Sequence, residues 1–315
     1  MVQSNAARSS GGQRRKKGRP VSGWLILDKP LGMSSTQAVA AVKRLFGAQK
    51  AGHAGTLDPL ATGLLPIALG EATKTVPYVM EGRKIYGFTV RWGEETATDD
   101  AEGEVIARSD ARPAADAIAA VLGRFTGTIM QVPPAFSAIK IDGERAYDLA
   151  RDGETVTLEP RPIDVHRLDL VAVPDADTAV FTAECGKGTY VRALARDMGR
   201  ALGSRGHVVA LRRLLVGPFD EASMVRLDGL RAAAEEGADA TDALLAPMEA
   251  ALADLGEVRV GEAEAFRLRN GQSFLLRGRD APAEGETVYA TRAGSLIAIG
   301  TVEQGSFQPL RVFVG

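Results

Sequence analysis

An α+β fold is what this 315-residue sequence predicts. Three observations carry that prediction. Segments with helical and with period-two hydrophobic spacing are mixed, without the regular βαβ beat of a doubly wound sheet. The clearest strand, "KIYGFTVRWG", alternates Tyr86, Phe88, Val90 and Trp92 onto one face. From about residue 250 short strands take over. The length suggests two domains. We expect a basic tail over 1–20, a main domain over 21–250 and a small strand-rich module over 251–315.

The tail "SSGGQRRKKGRP" has almost nothing apolar to bury and is expected to be disordered. Residues 1–20 carry six basic side chains and no acid; removing them from the net charge of −2 leaves −8 for the rest. Such a tail is either a solubilising leader or an arm with nonspecific affinity for phosphate backbones.

"GWLILDKP" follows as a short buried strand. "SSTQAVAAVKRLFG" reads as a helix: Ser34 and Gln37 fit a capping box, Val39, Val42, Leu45 and Phe46 share a face, and Gly47 stops it. "GEATKTVPYVMEG" is expected to be a short helix interrupted by Pro77. The acidic turn-rich "GEETATDDAEGE" leads to "RPAADAIAAVLGRFTG", a helix closed by Gly123. "VPPAFSAIKIDGERAYDLARDGE" has no clean period and reads as an inserted surface excursion over about 134–161. "TAVFTAECGKGTYVRALARDMGRALG" is a strand, a Gly-rich turn and a helix with Val191, Leu194, Met198 and Leu202 inward. A hairpin is expected over "RAGS" near the end.

Composition excludes several classes. Apolar residues make up 45% and charged residues 25%, as in ordinary globular proteins. No run approaches the length of a membrane-spanning helix and the start lacks a signal peptide's apolar core, so a cytoplasmic protein is expected. Cys185 is the single cysteine, and the three histidines at 53, 166 and 207 are scattered, which argues against disulfides and structural zinc.

The stretch richest in chemical suggestion is "GHAGTLDPLATGLLPIALGEATK", residues 52–74. By itself its Asp-Pro pair reads as a turn whose carboxylate bonds nearby amides. A phosphate cradle is weakly supported, since neither a P-loop nor G-x-G-x-x-G is present. The remaining reading is a nucleophile or base on a tight loop, its small neighbours letting a large substrate approach, as when a glycosidic carbon is attacked. A glycosidase would want a second carboxylate; Glu71, Asp99 and Asp100 are candidates without matching context.

That stretch closely resembles the signature of the TruB family, the bacterial tRNA pseudouridine-55 synthases. "LDKPLGMSS" before it, "KIYGF" after it, "VPPAFSAIKIDGERAYDLAR", "GTYVRALARDMG" and "HVVALRRLLVGPF" extend the resemblance from residue 23 to about 220, in the family's order. It implies the pseudouridine-synthase fold, a mixed and largely antiparallel sheet flanked by helices. The strand-rich end resembles a PUA-like RNA-binding module, by position and pattern. It implies a cofactor-free isomerisation in which uracil is detached from its ribose, rotated and rejoined through carbon. The partner implied is tRNA, through its T stem-loop. We expect a monomer with no obligate protein partner and no membrane.

The resemblance also assigns residues. Asp58 would be the catalytic carboxylate. Arg192, in the first turn of a helix where the macrodipole disfavours a cation, would pair with Asp58, orienting it and favouring its charged form. From spacing alone Arg192 would sit with Arg196 and Arg200 in a solvated stripe. Tyr86 would stack on the target base and take part in moving its carbon-bound proton. Tyr190 and Leu211 would wall the pocket, though core packing explains each nearly as well. His53 would support the flipped nucleotide. Lys29 and Pro30 match the family's "KP" pair at the cleft, in an architectural role with backbone contact to RNA. The insertion over 134–161, with Lys140, Arg145 and Arg151, would grip the RNA. An RNA-folding helper and a base-excising glycosylase are the alternatives from other classes.

Overall fold

The computed structural model describes residues 18–137, 139–141, 144–145, 158–276, 278 and 281–313. The basic tail falls almost wholly outside this range, as does Arg151; of Lys140 and Arg145 only the backbone is described.

The chain opens with β1 (Gly23–Lys29) and α1 (Ser35–Leu45), then β2 (Ala51–His53), β3 (Ala61–Leu69) and, after a 3-10 turn over Gly70–Lys74, α2 (Val76–Glu81). β4 (Lys84–Trp92), β5 (Glu94–Thr96) and β6 (Val105–Arg108) precede α3 (Ala115–Val121) and β7 (Gly127–Gln131). The two-residue strands β8 (Lys140–Ile141) and β9 (Glu144–Arg145) form a ribbon. β10 (Arg161–Ala172), β11 (Thr178–Cys185), α4 (Val191–Ala201), β12 (Gly206–Val216) and β13 (Val225–Arg226) follow, then α5 (Leu227–Glu236) and α6 (Ala238–Asp242). β14 (Gly256–Arg259), α7 (Glu262–Arg269), β15 (Phe274–Leu275), β16 (Thr287–Arg292), β17 (Ser295–Glu303) and β18 (Ser306–Val312) complete the chain.

The main sheet runs β13-β1-β3-β12-β4-β11-β10-β7, with β2 added on β3. β1 with β13 and β12 with β3 are parallel, and every other pair is antiparallel. β1 shows why its sequence is apolar at almost every position: Leu25 and Leu27 enter one buried cluster while Trp24 and Ile26 enter another on the opposite face. A strand covered on both sides has no polar face to display. A second sheet, β14-β16-β17-β18-β15, holds the strand-rich end, and its β16–β17 hairpin turns through Ala293 and Gly294.

Local signals explain the helices. Ser34 accepts from the Gln37 amide and the Gln37 side chain accepts from the Ser34 amide, forming the capping box, and Gly47 follows at φ +58°. Pro77 does not interrupt a helix. It stands in the first turn of α2, where its missing N–H has no intrahelical partner to lose. Gly123 does not close α3 either; the helix ends at Val121 and a 3-10 turn over Leu122–Phe125 runs through it.

α4 packs against β12 closely enough that a Cβ on Gly199 would lie 2.5 Å from the Gly206 amide nitrogen. Its buried set extends well past the apolar stripe to Arg192 and Arg196, which excludes the solvated-stripe reading for those two residues. Only Arg200 of the three reaches the surface. Among the described residues no helix is long and apolar enough to cross a membrane.

Candidate active site

Asp58 lies in the loop between β2 and β3. The backbone there is unusually well held: five consecutive carbonyls, 55 to 59, each accept a hydrogen bond. Arg213 donates to Gly55 and Thr56 at 3.1 and 3.3 Å, the Ser35 hydroxyl to Leu57 at 2.9 Å, the Ala61 amide to Asp58 at 3.1 Å and the Gly32 amide to Pro59 at 2.9 Å. The Leu57 amide returns to the Ser35 hydroxyl at 2.8 Å. Gly55 takes φ +99°, where a side chain would be strained. The loop thus fixes its one carboxylate by main-chain bonds, leaving the Asp58 side chain 37% exposed to an approaching substrate.

Arg192 is brought to it by the N-terminus of α4. Its Nε lies 3.0 Å from Asp58 Oδ2 and its Nη1 3.5 Å from Asp100 Oδ2, with side-chain exposures of only 6% for the arginine and 3% for Asp100. Nη1 also donates to the Thr98 carbonyl at 2.8 Å and Nη2 to the Phe136 carbonyl at 3.0 Å. A buried guanidinium at the positive end of a helix needs such a set of acceptors.

The acceptors come largely from one segment. α4 carries Arg192, Arg196 and Arg200 four residues apart, and the acidic stretch after β4 meets them in turn. Arg200 forks onto Glu95 at 2.5 and 3.0 Å, Arg196 reaches Asp99 at 2.8 Å, and Arg192 faces Asp100. Asp99 adopts φ +60° to place its side chain there. Burial pushes its carboxyl up to about 6, against the pull of Arg196 and Arg192. Arg196 donates to the Val132 carbonyl at 2.8 Å as well, so α4 also holds the strand end leading into the insertion.

Of the remaining sequence candidates, Tyr86, Tyr190 and Lys29 lie close enough to Asp58 to feel its charge. Tyr86 in β4 is half-buried and is the cross-strand neighbour of Arg213 in β12. Leu211, two residues away on the same face of β12, faces Phe88 and Ala61. Tyr190 is the residue before α4, and Gln131 clasps its backbone, accepting from its amide at 2.9 Å and donating to its carbonyl at 3.1 Å. His53 ends β2, opposite Ile67. The Lys29 side chain turns inward: it is fully buried and bonds the Pro30 and Met33 carbonyls at 3.0 and 2.6 Å. Burial pushes its ammonium down to about 8, with the Asp58 charge pulling the other way. Of the three second-carboxylate candidates, Glu71 pairs with Lys74, Asp99 with Arg196, and only Asp100 shares Arg192 with Asp58.

Sequence reasoning overlooked Arg213, Ser35 and the acidic partners of the α4 arginines. The signal for the last was present, because three arginines at i, i+4 and i+8 on a helix that also carries the apolar stripe need acids from elsewhere, and "EETATDD" is the acid-rich run available.

Comparison with known proteins places the chain. Residues 43–191 match the TruB family pseudouridylate synthase N-terminal domain, and residues 192–253 match the tRNA pseudouridylate synthase B C-terminal domain. A tRNA pseudouridine synthase B of Bradyrhizobium diazoefficiens is 63% identical, covering 98% of this chain and 90% of the relative. One of Agrobacterium fabrum is 61% identical over 95% and 97%. Among solved structures, an H/ACA RNP bound to a substrate RNA containing 2'-deoxyuridine aligns with TM-score 0.73 at 22% identity, covering 98% of this chain and 93% of that one. A Cbf5-Nop10-Gar1 complex aligns with TM-score 0.70 at 24% identity over 93% and 84%; both likenesses concern the fold. The Asp58–Arg192 pair joins the two matched regions, and the chain belongs to the TruB family of pseudouridylate synthases.

Proposed function

We propose that this protein is a tRNA pseudouridine synthase that isomerises the T-loop uridine at position 55 to pseudouridine. The observation that carries the reading is a single carboxylate, Asp58, on a loop fixed by its own carbonyls, open to solvent on one side and paired with a buried arginine on the other. Family membership gives the substrate class, since the relatives that match nearly the whole chain are named tRNA pseudouridine synthase B.

In this reading the N1–C1' bond of the uridine breaks, the uracil turns within the pocket, a C5–C1' bond forms and the proton on C5 leaves. Asp58 serves the sugar or the base as the anion this sequence of steps needs, and Arg192 keeps it aimed. Tyr86 lies against the base and receives the C5 proton. Leu211 and Tyr190 confine the ring, and His53 supports the extruded nucleotide. Lys29, whose ammonium is turned to the Pro30 and Met33 carbonyls, shapes the cleft rather than touching substrate. Extrusion of a base from a folded loop costs a few kcal/mol, offset by stacking and by contacts of the insertion over 134–161. A PUA-like module over 251–315 adds RNA surface. The enzyme works as a monomer in the cytoplasm.

The test is incubation with an unmodified tRNA transcript followed by nucleoside analysis. Pseudouridine, equal in mass to uridine and located at position 55, is the expected product. Free uracil in the supernatant would instead identify a glycosylase, and unchanged RNA with altered folding would identify a helper without chemistry.

A further inference from the structure

Among the described residues, Arg213 is the most deeply buried arginine, and the reaction described above leaves it without a part. It is 1% exposed and lies in β12, where the strand register sets it between Gly63 of β3 and Tyr86 of β4. Neighbours directly opposite on adjacent strands have Cβ atoms about 4.5–5.5 Å apart, close enough for a guanidinium to meet a phenol. The same guanidinium reaches past β3: Nε donates to the Leu64 carbonyl at 2.8 Å, and Nη2 and Nη1 donate to Gly55 and Thr56, three and two residues before Asp58. One rigid fork therefore touches the loop that presents the carboxylate and lies beside the tyrosine. Space for it depends on glycines: a Cβ on Gly55 would stand 3.4 Å from Nη1, and one on Gly63 would collide with the Arg213 carbonyl at 2.3 Å.

We propose that Arg213 is a positioning residue for proton removal from C5, holding the Tyr86 oxygen at a fixed distance from the Asp58 loop and favouring its anionic form. The proposal rests on reading the site as that of a uridine isomerase. In the step concerned the C5–H bond breaks, its electron pair closes the C5–C6 double bond of the uracil, the N1–C6 double-bond pair moves onto N1, which takes a proton from water, and the C5 proton goes to the Tyr86 oxygen. That oxygen enters as phenolate, its own proton having gone to water. Burial holds the phenol's pKa above its ordinary value, and the charge and hydrogen bond of Arg213 act against that rise without reversing it. A lysine could supply the charge but not the planar fork that spans loop and tyrosine.

The experiment is single-turnover conversion of a T-loop tRNA transcript carrying either protium or deuterium at uridine C5. Arg213→Lys should slow the reaction by about tenfold to a hundredfold, the range of a weakened acid–base step, with tRNA affinity unchanged. It should also raise the protium-to-deuterium rate ratio above the wild type's. A merely structural defect would slow both isotopes alike. Arg212→Met on the same strand, whose side chain pairs instead with Asp28 and Glu221, should leave the ratio at the wild-type value. Should Arg213→Lys not fold, 15N-arginine spectra of wild type and Tyr86→Phe carry the test: losing the phenol should shift the buried, slowly exchanging guanidinium signal. A wild type that forms no pseudouridine overturns the isomerase reading itself. A converting wild type with an Arg213→Lys variant equal in rate, or slower with an unchanged isotope ratio, overturns the assignment of Arg213, as does an unmoved guanidinium spectrum.

Discussion

Arg192 Nε stands 3.0 Å from Asp58 Oδ2, and the other side of the same guanidinium faces Asp100 at 3.5 Å. One cation thus separates two carboxylates. Arg192→Ala would remove the one cation in contact with both and leave two carboxylates sharing a site, a situation in which protonating one becomes more favourable. The single-turnover rate of Arg192→Ala should therefore be low and rise with pH across about pH 5 to 9, the span over which a perturbed carboxyl can titrate. Arg192→Lys should recover part of the rate, because it keeps the charge and loses the fork. A wild-type rate for Arg192→Ala throughout that range would remove Arg192 from the site.

Asp58→Asn keeps shape and main-chain bonds while deleting the charge. Turnover should vanish, and tRNA affinity should stay within about tenfold, or 1.4 kcal/mol, since the loss falls on chemistry rather than on the RNA surface. Filter binding beside a long incubation checks both halves. Pseudouridine made by the pure variant would sink the assignment.

Gly63 takes φ +92°, and a Cβ there would lie 2.3 Å from the Arg213 carbonyl. Backbone cannot yield as a side chain can, so Gly63→Ala should destabilise the protein by at least about 1–3 kcal/mol. A urea unfolding midpoint equal to that of the wild type would show that β3 and β12 do not meet at this register.

Lys29 supplies a pH signature. Its pKa falls from 10.5 in the free side chain to about 8 in the fold, chiefly through burial. Between those values the native protein binds fewer protons than the unfolded chain, so stability from this group increases as pH rises from about 8 to 10.5. Over that window the wild type should gain stability relative to Lys29→Met. Denaturant titrations at pH 8 and 10 measure the difference, and a wild-type stability that does not rise relative to that of Lys29→Met between the two contradicts it.

Much of this arrangement was legible in the sequence, for identifiable reasons. β4 and the capping box of α1 are written in local patterns, period-two aromatics in one case and a Ser–Gln pair in the other. Pro77 was misread because the breaker rule applies inside a helix and not to its first turn. Asp58 was readable as a candidate nucleophile or base on a tight loop beside the plain-turn reading, but its pairing with Arg192 was reachable only through the family resemblance; by spacing alone Arg192 belonged with Arg196 and Arg200. What separates them is tertiary: the acidic stretch crosses α4, tied to β12 by the Asp99 carbonyl and the Val208 amide at 3.1 Å. Arg213 was illegible for a similar reason. Its acceptors are carbonyls, which carry no residue identity, and a neighbouring Arg212 with ordinary acidic partners looks the same in sequence.

The motif that opens with His53 and Asp58 closes with Lys74, and Lys74 faces away from the chemistry. Its ammonium donates to the Val312 carbonyl at 2.7 Å and sits 5.4 Å from the centre of the Phe313 ring, which packs with Leu252, Leu296 and Ile299 against Tyr78 of α2. The 23-residue stretch from Gly52 to Lys74 is therefore a tie-rod, anchored at one end beside the carboxylate and at the other in the five-stranded sheet. β3, a strand buried for most of its length, thus joins the loop that aims Asp58 to that anchor.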